Sequence, residues 1–367
     1  MLLSLLRRAL FVALLLTQAT ASAEAPKAWA YFAWWLPDSW RTASLDQLKR
    51  LLFFEISVNG NGDISERNGW PDKFGELRQA VKRQGVALDL TLTLFDPKSF
   101  DNLFTSAEAT RRLLENATAL ASHKDVAGLQ LDFEIYAPVR PETRANYRAF
   151  VQELSKRLHA QSPARALSVF LPMGDESLLY DAPTLAVVDH VVLQGYDSHW
   201  VGSKAAGPVA PLRGDEVVTW EKAVSKATGL GVPKKSMYVG FPLYGYEWQV
   251  KGLKQRSPTI AKGVTTSFSP IAPGLVPAIQ VNVQNRVQQY GSYHDPVSAS
   301  TQYHFKAANG QYFEGWFEDW WSLDRKTDYL VQEQLAGIVF FILGYDNDQL
   351  VEHFLRRTTP RRGQKPQ

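Results

Sequence analysis

Three polar side chains, Gln130, Asp132 and Glu134, recur at every second position of the run VAGLQLDFEIYAP, residues 126–138. Leu129, Leu131 and Phe133 fill the places between them. In an extended strand, residues i, i+2 and i+4 share a face, so this spacing aims the amide and both carboxylates one way. Two carboxylates placed so stand about 7 Å apart. Near a low-dielectric interior both cannot ionise cheaply, and one is expected to hold a proton at neutral pH. A protonated carboxyl beside an ionised one is what general acid catalysis requires. Strands with one wet face show the same alternation, so the neighbouring elements must decide.

Those neighbours are short apolar runs alternating with segments of helical period. Strands are expected at Trp29–Trp34, Leu52–Val58, Val86–Leu94, Gly128–Glu134, Leu167–Leu171, His190–Tyr196, Met237–Tyr244 and Gly337–Leu343. Between them lie amphipathic stretches such as KFGELRQAVKRQG and PETRANYRAFVQELSKRLHAQ, the latter with Pro141 and Glu142 in its first turn. Strand–helix alternation with near-continuous apolar strands predicts parallel strands covered by helices. The expected fold is α/β, a (β/α)8 TIM barrel over 27–246 and 316–356. From 247 to 315 the rhythm fails, and a small α+β insertion between strands seven and eight is expected there. Covered by helices, the fourth strand has no solvated face, and Glu134 falls at its C-terminal end, where barrels carry catalytic residues.

With these elements in place, GLQLDFE resembles the D-x-x-D-x-D-x-E signature of family 18 glycoside hydrolases, the chitinase family. Glu134 matches the catalytic acid and Asp132 the assisting Asp. Gln130 and Ala127 stand where the family usually carries further aspartates. VVLQGYDSHW resembles the family's M-x-Y-D segment, matching Tyr196 and Asp197 with Gln194 for the methionine. VGFPLYGYEW resembles G-x-P-x-Y-G-R, matching Tyr244 with Tyr246 for the arginine. AGIVFFILGYD resembles the last-strand segment, with Phe341 in place of the tryptophan that floors the sugar site. YFEGWFEDWWSLDRK resembles the stretch closing the insertion in bacterial cell-wall-type members.

The resemblance implies substrate-assisted, retaining cleavage of β-1,4-linked N-acetylglucosaminyl polymers, chitin oligosaccharides or peptidoglycan. It gives Glu134, Asp132 and Tyr196 catalytic roles: proton donor, partner of the acetamido N–H, and donor to the acetamido oxygen. Gln130, Tyr31, Asp197, Trp200, Tyr244 and Phe341 are the candidate substrate-binding residues, with Trp35, Trp40 and Trp248 as weaker sugar-stacking candidates. Gln130 cannot titrate, so it is expected to donate to Asp132, keep it ionised, and thereby favour a protonated Glu134. Two other readings compete. A non-catalytic chitinase-like lectin would generally lack the terminal Glu, which is present here. A conventional retaining glycosidase would draw a nucleophile from another strand, such as Asp197 or Asp346.

Composition narrows the setting. The chain has 367 residues, no cysteine and a net charge of +3, which excludes disulfides and thiolate chemistry. The positive charge forms no stripe, so no nucleic-acid partner is expected. Eleven tryptophans, fourteen tyrosines and nineteen phenylalanines fit a core with aromatic surface to spare for a glycan. Arg7 and Arg8, the apolar run ALFVALLL and the small residues ATASAEA form the three parts of a signal peptide over 1–23. That run is too short to span a bilayer, so cleavage after Ala23 or Ala25 and export to the periplasm or beyond are expected. A monomer without cofactor or metal, ending in a basic flexible tail over 357–367, completes the expectation. His199 beside Asp197 reads as a loop residue, NGNGD as a turn, and Asn116 of NAT lies in a helical stretch.

Overall fold

Runs that are apolar at nearly every position make strands only where both faces are covered, and a closed barrel covers both. The computed structural model describes residues 24–174, 177–268 and 279–359; the expected signal peptide lies outside them. Strands β1 (Lys27–Ala33), β2 (Arg50–Val58), β3 (Ile64–Glu66) and β4 (Ala87–Leu94) come first. They are followed by β5 (Gly128–Phe133), β6 (Ala166–Leu171), β7 (His190–Leu193) and β8 (Met237–Pro242). A second group comprises β9 (Tyr244–Val250), β10 (Val264–Ser267), β11 (Ile279–Asn282), β12 (Tyr293–Asp295), β13 (Ser300–Lys306) and β14 (Tyr312–Phe317). The last strand is β15 (Gly337–Phe341).

Eight of these, β1, β2, β4 to β8 and β15, pair in parallel, and β1 bonds to both β2 and β15. The ring is closed, a (β/α)8 barrel, with β3 a short antiparallel addition to β2.

Helices α1 (Gly75–Gln84), α2 (Pro97–Thr105), α3 (Ala107–Ala121) and α4 (Pro141–His159) cover the first half. Their starts are written locally: the Asp96 carboxylate accepts from Ser99 N–H ahead of Pro97, and Ser106 accepts from Ala109 N–H. Next come α5 (Ala182–Leu185) and α6 (Trp220–Gly229), then α7 (Val283–Tyr290) in the second sheet. Helices α8 (Trp320–Gln332) and α9 (Gln349–Thr358) flank β15, and α9 runs two residues into the expected tail. Phe133 meets the rings of Phe100 and Phe104 on α2 and of Tyr147 on α4, which fixes the outward face of β5.

The expected strand Met237–Tyr244 is divided. Pro242 has no N–H to continue a ladder, and after Leu243 the chain turns into β9. The six strands β9 to β14 build a second sheet in the order β11-β10-β9-β14-β13-β12, with α7 packed on β13. Two buried charge clusters tie it down. Arg286 of α7 bonds Glu247 of β9 at 2.8 and 3.0 Å, and the Tyr303 hydroxyl donates to the same carboxylate. Lys326 of α8 donates to Glu318 at 2.6 Å and to the Ala299 carbonyl at 2.7 Å, fully enclosed.

Candidate active site

The inward face of β5 carries Gln130 and Asp132, and Glu134 follows one residue past the strand. Above them, at the C-terminal ends of the barrel strands, opens a cleft of about 560 Å³. Asp132, Glu134, Tyr196, Asp197, Trp200, Tyr244 and Phe341 all line it, together with Phe54, Tyr136, Gln194 and Tyr246. No Lys, Arg or His stands among the described lining residues.

Aromatic rings form its floor and flank. Tyr196 stacks on Phe341 with centroids 5.6 Å apart, and Phe341 meets Phe54 edge-on at 5.5 Å. The chain of rings continues through Trp35 to Trp34, which is exposed at the end of β1. A side chain on Gly240 of β8 would strike the Tyr196 ring, so glycine there makes room for it. Trp200, in the loop after β7, is 52% exposed. Its ring lies across Gly202, where a Cβ would collide with the indole.

Asp197 adopts φ of 58°, a left-handed conformation that aspartate tolerates better than most residues. Its Oδ1 accepts from Tyr244 at 2.7 Å and from Tyr246 at 2.9 Å, both on β9. Burial pushes its carboxyl up, and these two donors oppose the shift.

Burial, then the neighbouring Glu134 and Glu55 charges, push the Asp132 carboxyl well above the usual carboxylate range. Glu55 of β2 is itself pushed up by burial, with a bond to Thr93 opposing. The shift on Asp132 favours keeping a proton within the acidic pair. The tendency to hold it is seen on Asp132, where the sequence suggested an ionised side chain.

Gln130 explains part of that difference. Its Oε1 accepts from the Tyr31 hydroxyl at 2.9 Å and from Thr91 at 3.1 Å, while its Nε2 and Asp132 Oδ1 each find no partner among the described residues. The expected Gln130 to Asp132 donation is absent, because two hydroxyls from β1 and β4 converge on the amide oxygen and orient it. Gln130 and Tyr31 are buried beneath the cleft and do not line it. They bear on substrate only through the floor they support.

Other expectations separate cleanly. Trp248 is buried in the second sheet, its Nε1 donating to the Trp200 carbonyl at 3.2 Å, and is no sugar platform. Trp35 backs the floor and Trp40 is absent from the lining. Asp346 is enclosed and accepts from the N–H groups of Asp348, Leu350 and Val351, leading into α9; burial pushes it to about 6. It does not line the cleft, so it cannot be a nucleophile there. His199 bonds the Pro208 carbonyl, and among the described residues no cluster of three or more Asp, Glu, His or Cys side chains is placed to hold a metal.

Sequence reasoning passed over Tyr136 and Glu55. The Tyr136 hydroxyl donates to Glu134 Oε2 at 2.6 Å. It continues the every-second-residue spacing of Gln130, Asp132 and Glu134, a signal that was available.

Residues 27–346 match the family model described as glycosyl hydrolases family 18. The cortical fragment-lytic enzyme of Bacillus subtilis is 26% identical over 282 residues, covering 73% of this chain and 59% of that enzyme. The chain thus spans about three fifths of the length of the first curated relatives it matches. The spore cortex-lytic enzyme SleL of Bacillus cereus superposes with a TM-score of 0.72 at 19% identity, covering 92% of this chain and 75% of that one. A chitinase from Cycas revoluta in complex with (GlcNAc)3 gives 0.75 at 18% identity, over 90% of this chain and 99% of that one. At such identities these two likenesses concern the fold.

Proposed function

The chain belongs to glycosyl hydrolase family 18, and on that premise we propose that it is an exported hydrolase of β-1,4-linked N-acetylglucosaminyl chains, taking chitin oligosaccharides or peptidoglycan. The observation that carries this reading is the Asp132–Glu134 pair facing an aromatic cleft beside Tyr196, with no cation among its described lining residues. The ring faces suit the C–H faces of sugars, and the acidic lining suits positive charge developing at an anomeric carbon.

In the proposed reaction Glu134 protonates the glycosidic oxygen as the C1–O bond breaks and its electron pair leaves with that oxygen. The substrate's 2-acetamido carbonyl oxygen attacks C1 and forms an oxazolinium ion. Being tethered to the sugar, it has a high effective concentration, and no enzymic nucleophile is required. Tyr196 donates to the acetamido oxygen and aims it. Asp132 accepts the acetamido N–H; a cation formed beside it favours its ionised form, opposing the burial that pushes its carboxyl up. Glu134 then takes a proton from water, whose oxygen bonds to C1 as the C1–O bond to the acetamido oxygen breaks and its electron pair restores the neutral acetamido group, so the two displacements at C1 give overall retention.

The test is incubation of the processed protein, and of Glu134→Gln, with chitooligosaccharides and with purified peptidoglycan. New reducing ends that require Glu134 support the proposal, and the two substrates separate its two polymers. Binding without cleavage would favour the lectin instead.

A further inference from the structure

Glu134 lies beyond the end of β5, and the segment after it brings Tyr136 back over the carboxyl. The phenol, 49% exposed at the cleft, donates to Oε2 at 2.6 Å. That length is typical of a charge-assisted O–H···O⁻ bond.

Two consequences follow from the direction of donation. An oxygen that accepts the phenol proton is not the one bearing the acid proton, so a neutral Glu134 carries its proton on Oε1. The bond is also stronger to a carboxylate than to a carboxylic acid. As the proton passes from Oε1 to the glycosidic oxygen, negative charge grows on Glu134 and the Tyr136 bond tightens. A contact worth more after transfer than before it accelerates the transfer.

We infer that Tyr136 is a positioning residue for the general acid: it selects Oε1 as the proton-bearing oxygen and stabilises the carboxylate left by proton transfer. This inference rests on the reading of Glu134 as the acid. Titratable groups that feel the Glu134 charge include Asp132 of β5, Tyr31 of β1 and Tyr196 after β7, with Glu55 of β2 acting on Asp132. All remain in place in Tyr136→Phe, so a shift in that variant reports the lost hydroxyl.

The experiment compares wild type with Tyr136→Phe across pH on two substrates, a chitooligosaccharide and an aryl N-acetylglucosaminide with an activated leaving group. On the oligosaccharide kcat/KM falls about 5–10-fold, the size expected for one charge-assisted bond over a neutral one. On the aryl glycoside, whose leaving group needs little protonation, the loss stays below about 2-fold. Without the donor Glu134 keeps its proton to higher pH, so the alkaline limb of the profile moves upward by about half to one pH unit. A melting temperature equal to wild type shows that the fold is kept. Equal losses on both substrates, or an unmoved or downward-moved limb, overturn the inference while leaving the acid in place. A wild-type protein inactive on chitooligosaccharide, aryl glycoside and peptidoglycan alike overturns the reading of Glu134 and this inference with it.

Discussion

Replacing Trp200 by alanine removes a ring from the cleft wall and little else. Its backbone anchors survive the change: Trp200 N–H donates to Ser203 Oγ at 2.9 Å, and its carbonyl accepts from Trp248. The indole is 52% exposed. A tryptophan side chain presents up to about 250 Å², so roughly 130 Å² is open here, and a sugar on one face covers about half of that. At ~25 cal/mol per Å² the ~65 Å² hidden on binding corresponds to about 1.6 kcal/mol, or roughly 15-fold in affinity. Trp200→Ala is therefore expected to raise KM on chitooligosaccharides by about 10–20-fold with a smaller change in kcat, and Trp200→Phe to recover part of it. Steady-state kinetics with oligosaccharides of increasing length provide the assay, and thermal melting checks the fold. A KM within about 2-fold of wild type, or a loss confined to kcat, would refute the assignment of this ring to sugar binding.

Two further predictions concern buried polar groups. Lys326→Met strips the enclosed Glu318 of its cation, which is expected to cost ~3–5 kcal/mol, or ~4–7 °C in Tm for a chain of roughly 340 folded residues. Adding Glu318→Gln should return much of that loss, because Ser300 keeps an acceptor; calorimetry that finds the double variant worse than the single one refutes it. Gln130→Glu retains an acceptor for Tyr31 and Thr91 but places another carboxyl in a fully buried site. Burial raises its folded pKa above the unfolded ~4.3, so the variant matches wild type below about pH 4 and loses stability as pH rises, by at most ~1.4 kcal/mol per unit. Urea melts at pH 4 and 7.5 that show the same difference from wild type would contradict this.

The barrel was legible because its strands are covered on both faces, so most of them read as near-continuous apolar runs between helical segments. Asp132 and Glu134 were legible because period two on such a strand has only one inward direction. What escaped depends on contacts far apart in sequence. Gln130 takes its orientation from Tyr31 and Thr91, which lie 99 and 39 positions away. The strands β10, β11 and β12 span four, four and three residues, too few to display a period against their mixed composition. Trp248 follows Tyr246 by two places in β9, and only the pairing of β9 between β10 and β14 reveals that its ring is enclosed. Asp346 offered a carboxylate near the final strand, but three N–H groups leading into α9 claim it.

The two phenols that grip Asp197 belong to β9, the strand by which the chain enters its second sheet. One rim of the cleft is thus on loan from a region that carries neither Asp132 nor Glu134. Without that region Asp197 would lose both phenols, and the cleft one side of its mouth. Mutational drift in the outer sheet can accordingly reshape the mouth of the cleft while Glu134 and β5 stay untouched.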